Sequence, residues 1–351
     1  MNKRLAIKGY RQMKQLRIKT NRKITNWPSW DLVYEWEDYF VKSLNTSYRY
    51  DSNMERYFNK FARLTNWNIF SLFPNNYYEF QWDMSVRLTN SSYNRPNLIP
   101  GIIDFHLSKD RLADFFSAYR HNPFILISSL EAFTFLKENN FPKKIYHFPL
   151  SLPNAYQITP TTHYEKKYDL VLAGRQNPVL DEYLKKYAAN NSAFVYVYRI
   201  LQKNTNDGRS TNNMSFDFYT SKGEFLGNIN DRKGYMELIQ KSRVSLYATP
   251  GIDGGEERTK GFNQVTPRFL ELIASGCHII ARYKDNPDTD FYQLHAFCPN
   301  INTYEEFERE MDKALQTNVD MQKYADYLEN HYTSKKVELL RTILELEGIK
   351  T

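Results

Sequence analysis

Arg268 and Glu271 stand three residues apart in the stretch NQVTPRFLELIASGCHIIARY, residues 263–283. The stretch reads as a loop, a short helix and a buried strand. Thr266 is placed to cap the helix, and Pro267 suits its first turn, where a missing N–H has no partner to lose. Phe269, Leu270, Leu272, Ile273 and Ala274 crowd the faces that pack on a sheet, and Gly276 supplies a stop. The run CHIIA is short, apolar and β-branched enough to be an interior parallel strand. A helix start offers unpaired N–H groups and partial positive charge, a seat for phosphate. Arg268 and the Thr266 end therefore suit a phosphate, and Glu271, one turn on, suits hydrogen bonds from sugar hydroxyls. Spacing alone equally allows an i,i+3 ion pair on an ordinary helix.

Other residues could serve the same ligand. Gly174-Arg175 closes the strand YDLVLAG, and open parallel sheets bind ligands beyond the carboxyl ends of their strands. Gly174 lets backbone approach and Arg175 meets phosphate, or the pair is a glycine turn with an exposed arginine. The glycine-rich loop 250–261 is long enough to be functional. Its Arg258 and Lys260 reach a diphosphate or are solvated charges, and Thr249, at the preceding strand end, touches the same ligand. The loop is neither a Walker loop nor a dinucleotide fingerprint, since neither pattern is present. Asp288-Thr289-Asp290 puts two carboxylates close enough to hold a divalent ion, or forms a surface turn beside Pro287. No His/Cys/Asp grouping has zinc spacing.

These residues need a scaffold of alternating strands and helices. Strands are expected at 168–174, 193–200, 243–249 and 277–281, with helices at 178–190 and 233–242 between them and another at 304–316. The polar segment 204–215 reads as a loop. Upstream, PFILISS and KIYHFPL are strands around the helix LEAFTFLKENN, NLIPGIIDFHL is a strand ending near Asp104-Phe105-His106, and RLADFFSAYRH is a helix. Residues 27–100 are harder to read: helices at WPSWDLVYEWEDYFVKSLN and MERYFNKFARL and a strand at NWNIFSLFP are expected, and the segment from 81 is mixed. Such alternation is the signature of a parallel α/β domain. Pro149, Pro153 and Pro160 mark the boundary between two of them. The expected units are a basic arm or helix at 1–30, a first domain at 31–160, a second at 161–325 and a closing helix at 326–351.

TPRFLELIASGCHII resembles the pattern Arg-x-x-Glu-x-x-x-x-Gly plus apolar strand found in the C-terminal domain of GT-B glycosyltransferases. The resemblance implies that Glu271 binds the nucleotide ribose of a nucleotide-sugar donor and that Thr266 to Arg268 lie at its diphosphate. It places Gly174 and Arg175 near the same diphosphate. Many retaining members carry a second glutamate eight positions earlier; Asn263 stands there, which is similar to the spore-coat and surface-polysaccharide subgroup. GT-B enzymes bind acceptor in the N-terminal half, so a catalytic base is sought there, and Asp104 and His106 end a strand where such a group faces the cleft. The tail ENHYTSKKVELLRTILE resembles the subgroup's closing helix, which crosses back to the N-terminal domain. No metal or other cofactor is implied; the nucleotide-sugar is a co-substrate. Asp288-x-Asp290 resembles instead the metal-binding signature of the GT-A architecture.

Composition sets outer limits. At 351 residues the chain makes two domains, and 16% aromatic content supplies stacking surfaces as well as core. Cys277 and Cys298 give no disulfide framework, so a reducing cytoplasm is the simpler setting. No apolar run approaches the ~20 residues that cross a bilayer. The net charge of +7 is uneven: residues 1–30 hold nine Lys or Arg and no acid, leaving 38 basic against 40 acidic residues elsewhere. Residues 1–24 lack a signal-peptide core and place Leu5, Ile7, Tyr10, Met13, Leu16 and Ile18 loosely on one helical face. Such a helix lies on an anionic membrane surface or packs as a solvated helix; nucleic acid is not the expected partner.

The sequence thus predicts an α/β protein of the GT-B type, two Rossmann-like domains facing a cleft with a C-terminal helix crossing back. It would move a sugar from a nucleotide-sugar to a hydroxyl of a glycan or lipid-linked glycan in bacterial surface-polysaccharide synthesis, in the cytoplasm or peripherally on the inner membrane. The alternatives are a non-catalytic nucleotide- or glycan-binding protein and a GT-A enzyme using Asp288 and Asp290.

Overall fold

In the computed structural model, which describes residues 15–23, 28–55, 57, 61, 77–89, 91, 93–203 and 214–350, the chain builds two six-stranded sheets. The first comprises β1 (Gln15–Lys19), β2 (Tyr48–Arg49), β3 (Tyr77–Ser85), β4 (Leu98–Asp104), β5 (Ile125–Ile127) and β6 (Ile145–His147), in the order β2-β1-β3-β4-β5-β6. Every pairing in it is parallel. Helices α1 (Pro28–Ser43), α2 (Leu112–Tyr119) and α3 (Leu130–Glu138) flank it. Parallel strands need covered faces, and the apolar runs of β4 and β5 supply them.

The basic arm needs correction. Leu16 and Ile18, expected on one face of a helix, are buried in β1, hydrogen-bonded between β2 and β3. Their alternation with Arg17 and Lys19 has the strand period of two, and two neighbouring strands outweigh a loose helical spacing. Residues 1–14 lie outside the described residues, as do the expected strand at 66–74, most of the helix at 54–64 and the polar loop at 204–213. Strand β3 runs into the segment that reads as mixed; its polar and apolar residues alternate, and from Glu79 to Asp83 both faces are buried. Phe80 and Trp82 enter an aromatic core with Phe40 and Phe148, while Glu79, Gln81 and Asp83 enter a charged layer. There Arg95 pairs with Glu79, Arg87 with Asp83, and Lys19 with Asp51 at 2.7 Å.

The second sheet comprises β7 (Tyr168–Val171), β8 (Tyr196–Lys203), β9 (Met214–Thr220), β10 (Phe225–Asn228), β11 (Ser242–Ala248) and β12 (His278–Arg282), in the order β10-β9-β8-β7-β11-β12. Its centre is parallel, but β8, β9 and β10 form an antiparallel extension. Helices α4 (Pro178–Asn190), α5 (Arg232–Gln240), α6 (Glu256–Thr259), α7 (Arg268–Ala274), α8 (Pro287–Phe291), α9 (Leu294–Phe297), α10 (Tyr304–Gln316) and α11 (Met321–Leu328) accompany it. The last helix, α12 (Thr333–Leu346), leaves this lobe. Its Val337, Leu340, Ile343 and Leu344 share a core with Leu32, Val33, Trp36 and Phe40 of α1, so the chain ends on the first lobe. Each such side chain contributes about 1.5–3 kcal/mol on full burial.

The carboxyl edges of the two sheets meet. Gln264, just before α7, donates through Nε2 to Ile103 O and Asp104 Oδ1, both at 3.0 Å, and accepts from Phe105 N at 3.2 Å. Phe262 inserts between Phe105 and Phe135, its ring centroid 5.3 Å from each. Asp288 of α8 accepts from Ser129 Oγ at 2.5 Å and Leu130 N at 2.6 Å, at the start of α3. This two-lobed α/β arrangement, with the final helix returned to the first lobe, is the architecture expected of the GT-B type.

Candidate functional site

The central residues of the site follow from two strand ends. Beyond β7 the backbone turns at Gly174, with φ +75. A Cβ there would lie 1.6 Å from Arg268 Nη2, so the guanidinium of Arg268 rests flat against the glycine. Arg268 also donates through Nη1 to Arg175 O at 3.2 Å. Gly174, Arg175 and Arg268, separated by more than ninety residues of sequence, therefore form one surface. The i,i+3 pair of Arg268 with Glu271 does not form.

Two more arginines extend this surface. Arg199 of β8 packs its Cζ 4.1 Å from the centroid of the Phe216 ring. Burial, and then the positive charge of Arg268, hold its guanidinium below the usual range. Arg258, at the end of α6, donates to Pro250 O at 2.9 Å, and burial followed by the charge of Arg175 lowers it too. Among the described residues, none of Arg175, Arg199, Arg258 and Arg268 has an ion pair with a carboxylate. Beside them a recess of about 310 Å³ is lined by Gly174, Gln176, Lys185, Tyr196, Tyr198 and Arg199.

Facing this cationic surface from the first lobe are Asp104 and His106. Burial raises the Asp104 carboxyl to about 6, against the pull of Arg258, Arg175 and the bond from Gln264. Burial, with Arg258 and Arg175 adding to it, lowers His106 to about 4, and its buried Nε2 has no hydrogen-bond partner. At neutral pH this leaves a carboxylate and a neutral imidazole opposite uncompensated arginines.

The other anticipated residues have varied surroundings. Glu271 is buried, and its Oε1 lies 2.7 Å from Arg232 Nη1. Thr266 does not cap the helix: Pro267 holds the cap position, already with helical dihedrals, and no side chain accepts there. Instead Thr266 N donates to the Tyr247 hydroxyl at 3.0 Å. Helix α7 spans seven residues, with Arg268 its first. Thr249 is buried and donates to Asn263 Oδ1 at 3.1 Å. Lys260 is exposed in a left-handed conformation after α6.

Asp288 and Asp290 are not the surface turn the proline suggested. Asn286 caps α8 with a reciprocal Thr289 bond, Asp288 is fully buried with both oxygens accepting from the first lobe, and Asp290 is exposed. Burial raises the Asp288 carboxyl to about 7 despite the bonds from Ser129 and Leu130. Among the described residues no group of three or more His, Cys, Asp or Glu side chains is placed to hold a metal ion.

Sequence reasoning missed Arg199, Arg232 and Gln264. Arg199 is the last but one residue of the expected strand AFVYVYRI and Gln264 precedes the motif proline by three positions, so both were in view without a signal of their own. Arg232 opens α5, and its partners lie on other elements.

No family model matches the chain, and neither does any curated protein. Solved structures match at the level of chain course. A pneumococcal O-GlcNAc transferase, GtfA, in complex with UDP and GlcNAc is 12% identical, with a TM-score of 0.47 over 85% of this chain and 61% of that one. In the GtfA/B complex the shares are 88% and 59%, so this chain spans about three fifths of those proteins. AviGT4, a glycosyltransferase involved in avilamycin A biosynthesis, is 9% identical, with a TM-score of 0.47 over 96% and 98% of the two chains.

Proposed function

We propose that the protein is a glycosyltransferase that moves a sugar from a nucleotide-sugar to a hydroxyl of a glycan or lipid-linked glycan. The observation that carries this reading is the convergence of Arg175, Arg199, Arg258 and Arg268 without carboxylate partners, opposite Asp104 and His106. Arg199 and Arg268 are half-buried and Arg175 and Arg258 exposed; clustered cations without ion-paired carboxylates favour a multiply charged anion, and guanidinium forks match phosphate oxygens.

On this reading the nucleoside diphosphate leaves against Arg175, Arg258 and Arg268, whose fixed charges stabilise the negative charge that develops there. Glu271 receives the ribose hydroxyls through the oxygen that Arg232 leaves open. Lys260 and Thr266 border the diphosphate, and Thr249 sets the loop through Asn263. Asp104, with its carboxyl near 6, is the general base on the acceptor hydroxyl: ionised at neutral pH, yet basic enough to take a proton. His106, neutral and with a free ring nitrogen, lies beside it to orient the acceptor. No metal is needed for the leaving group in this scheme. Bacterial surface-polysaccharide synthesis is the proposed setting, at the cytoplasmic face of the membrane, with residues 1–14 as the lipid-contacting segment. A nucleotide-binding protein without transfer activity is the second reading, favoured by Gln264 occupying one oxygen of Asp104.

A thermal-shift screen against UDP-, GDP-, dTDP- and CMP-linked sugars tests the reading. Stabilisation by one or more of the three diphosphate donors, with release of its nucleoside diphosphate in the presence of a glycan acceptor, is expected. Binding without release supports the second reading, and equal indifference to all four donors overturns both.

A further inference from the structure

Arg232 is the one arginine of the site that is neutralised, and its two carboxylates come from different lobes. Its Nη1 lies 2.7 Å from Glu271 Oε1 on α7, and its Nε 3.3 Å from Glu35 Oε2 on α1. Glu35 is itself fixed, because its Oε1 accepts from the Tyr156 hydroxyl at 2.6 Å. The Tyr156 and Tyr235 rings enclose the guanidinium, their centroids 5.3 and 5.9 Å from Cζ. Asp231 fixes the backbone by capping α5 through Gly234 N at 2.7 Å. Burial pulls this guanidinium down, but Glu271 and Glu35 outweigh it and hold the charge firmly. Nη2 is buried and without a partner.

A guanidinium is a rigid planar fork, so a change at one prong turns the other. We infer that Arg232 is a positioning residue that ties Glu271 in the second lobe to Glu35 in the first. The carboxylate that receives the nucleotide is then aimed correctly only while the lobes keep this arrangement. This inference rests on Glu271 binding the nucleotide, and it gives Glu35, which touches no nucleotide, control over that binding.

Its test is a double-mutant cycle on the full chain, with UDP and GDP as probes in titration calorimetry. Glu35→Gln is expected to weaken binding about fivefold or more, the lower end of ordinary coupling between sites. In the Glu271→Gln background the same change is expected to alter affinity less than about twofold, because the route through Arg232 has ended. Glu35→Asp, which keeps the charge, recovers part of the loss. An unchanged affinity in Glu35→Gln, or effects that simply multiply, overturns the inference while leaving the donor site intact. If Glu271→Gln itself binds both probes as well as the wild type, the ribose role fails instead. A second measurement stands without any nucleotide. Dyes on cysteines introduced at exposed Lys109 and Lys222, one in each lobe, report the lobe separation by energy transfer, since Cys277 and Cys298 are buried. Glu35→Gln is expected to broaden that distribution, and an unchanged one refutes the tie between the lobes.

Discussion

Replacing Gly174 by alanine separates the role of Arg268 from the stability of its loop. The new Cβ would lie 1.6 Å from Nη2, 2.0 Å from Cζ and 2.7 Å from Nε of Arg268. No rotation of a methyl relieves three such overlaps, so the guanidinium must leave and its bond to Arg175 O is lost. The backbone at φ +75 adds roughly 1–2 kcal/mol for a side chain in the left-handed region. The lost bond is exposed and adds about 1 kcal/mol, so urea denaturation should show a loss of about 2–3 kcal/mol. If Arg268 holds phosphate, calorimetry should also show a loss of nucleotide affinity. A charge-assisted bond of about 1.5–3 kcal/mol corresponds to a roughly ten- to hundredfold weaker Kd. Gly223→Ala is the control: φ there is +86, but its Cβ would meet nothing within 4 Å. It carries a similar backbone strain without moving an arginine, and should leave Kd unchanged. Equal nucleotide affinity in Gly174→Ala and wild type would refute the phosphate role of Arg268.

Asp104→Asn should lower the transfer rate by about 10²–10⁴ and remove a limb of the rate profile that falls as pH drops through about 6; a surviving limb would assign the base elsewhere. Asp288, raised to about 7 by burial, binds more protons folded than unfolded between about pH 4 and 7. Folding stability should therefore fall as pH rises through that window, and Asp288→Asn should flatten the fall in pH-dependent denaturation. Deleting residues 1–14 should release the protein from vesicles of anionic lipid while β1 stays paired. Equal sedimentation with vesicles would end the membrane reading.

The helices and strands that the sequence made legible carry their punctuation beside them. Helix α4 begins at the Pro178 that follows its cap Asn177, and α10 has the reciprocal Thr303 and Glu306 bonds that such a spacing predicts. Strands β7, β11 and β12 are apolar runs between such helices, as a buried parallel strand should be. Where the reading failed, the sequence pattern answered to something distant. Strand β3 alternates polar and apolar residues from Glu79 to Asp83, but its polar side is buried in ion pairs with Arg95 and Arg87 instead of facing solvent. Strands β9 and β10 pair antiparallel at the edge of a sheet expected to be parallel, and their register depends on β8 across the polar segment. Residues 15–19 met a helical template by chance spacing, and only the flanking strands decide the matter.

The site divides in the same way. Gly174, Arg175 and Arg268 were visible because each sits at a strand end or helix start, places where a parallel sheet presents side chains to ligands. Arg232 and Gln264 were not, because a residue that works across the cleft is defined by a partner on the other lobe. The structure also sorts the cations by what surrounds them. Arg232 has two carboxylates, whereas Arg175, Arg199, Arg258 and Arg268 have none among the described residues, the contrast on which the proposed phosphate site rests. Asp104, the acid facing them, is raised to about 6 by its own burial and makes no ion pair with any of the four. Arg199 and Arg268, half-buried, contrast with the buried layer beneath β3, where Glu79, Asp83 and Asp51 each meet a cation. On the proposed reading a bound anion completes the half-buried Arg199 and Arg268, whereas the exposed Arg175 and Arg258 are solvated without it.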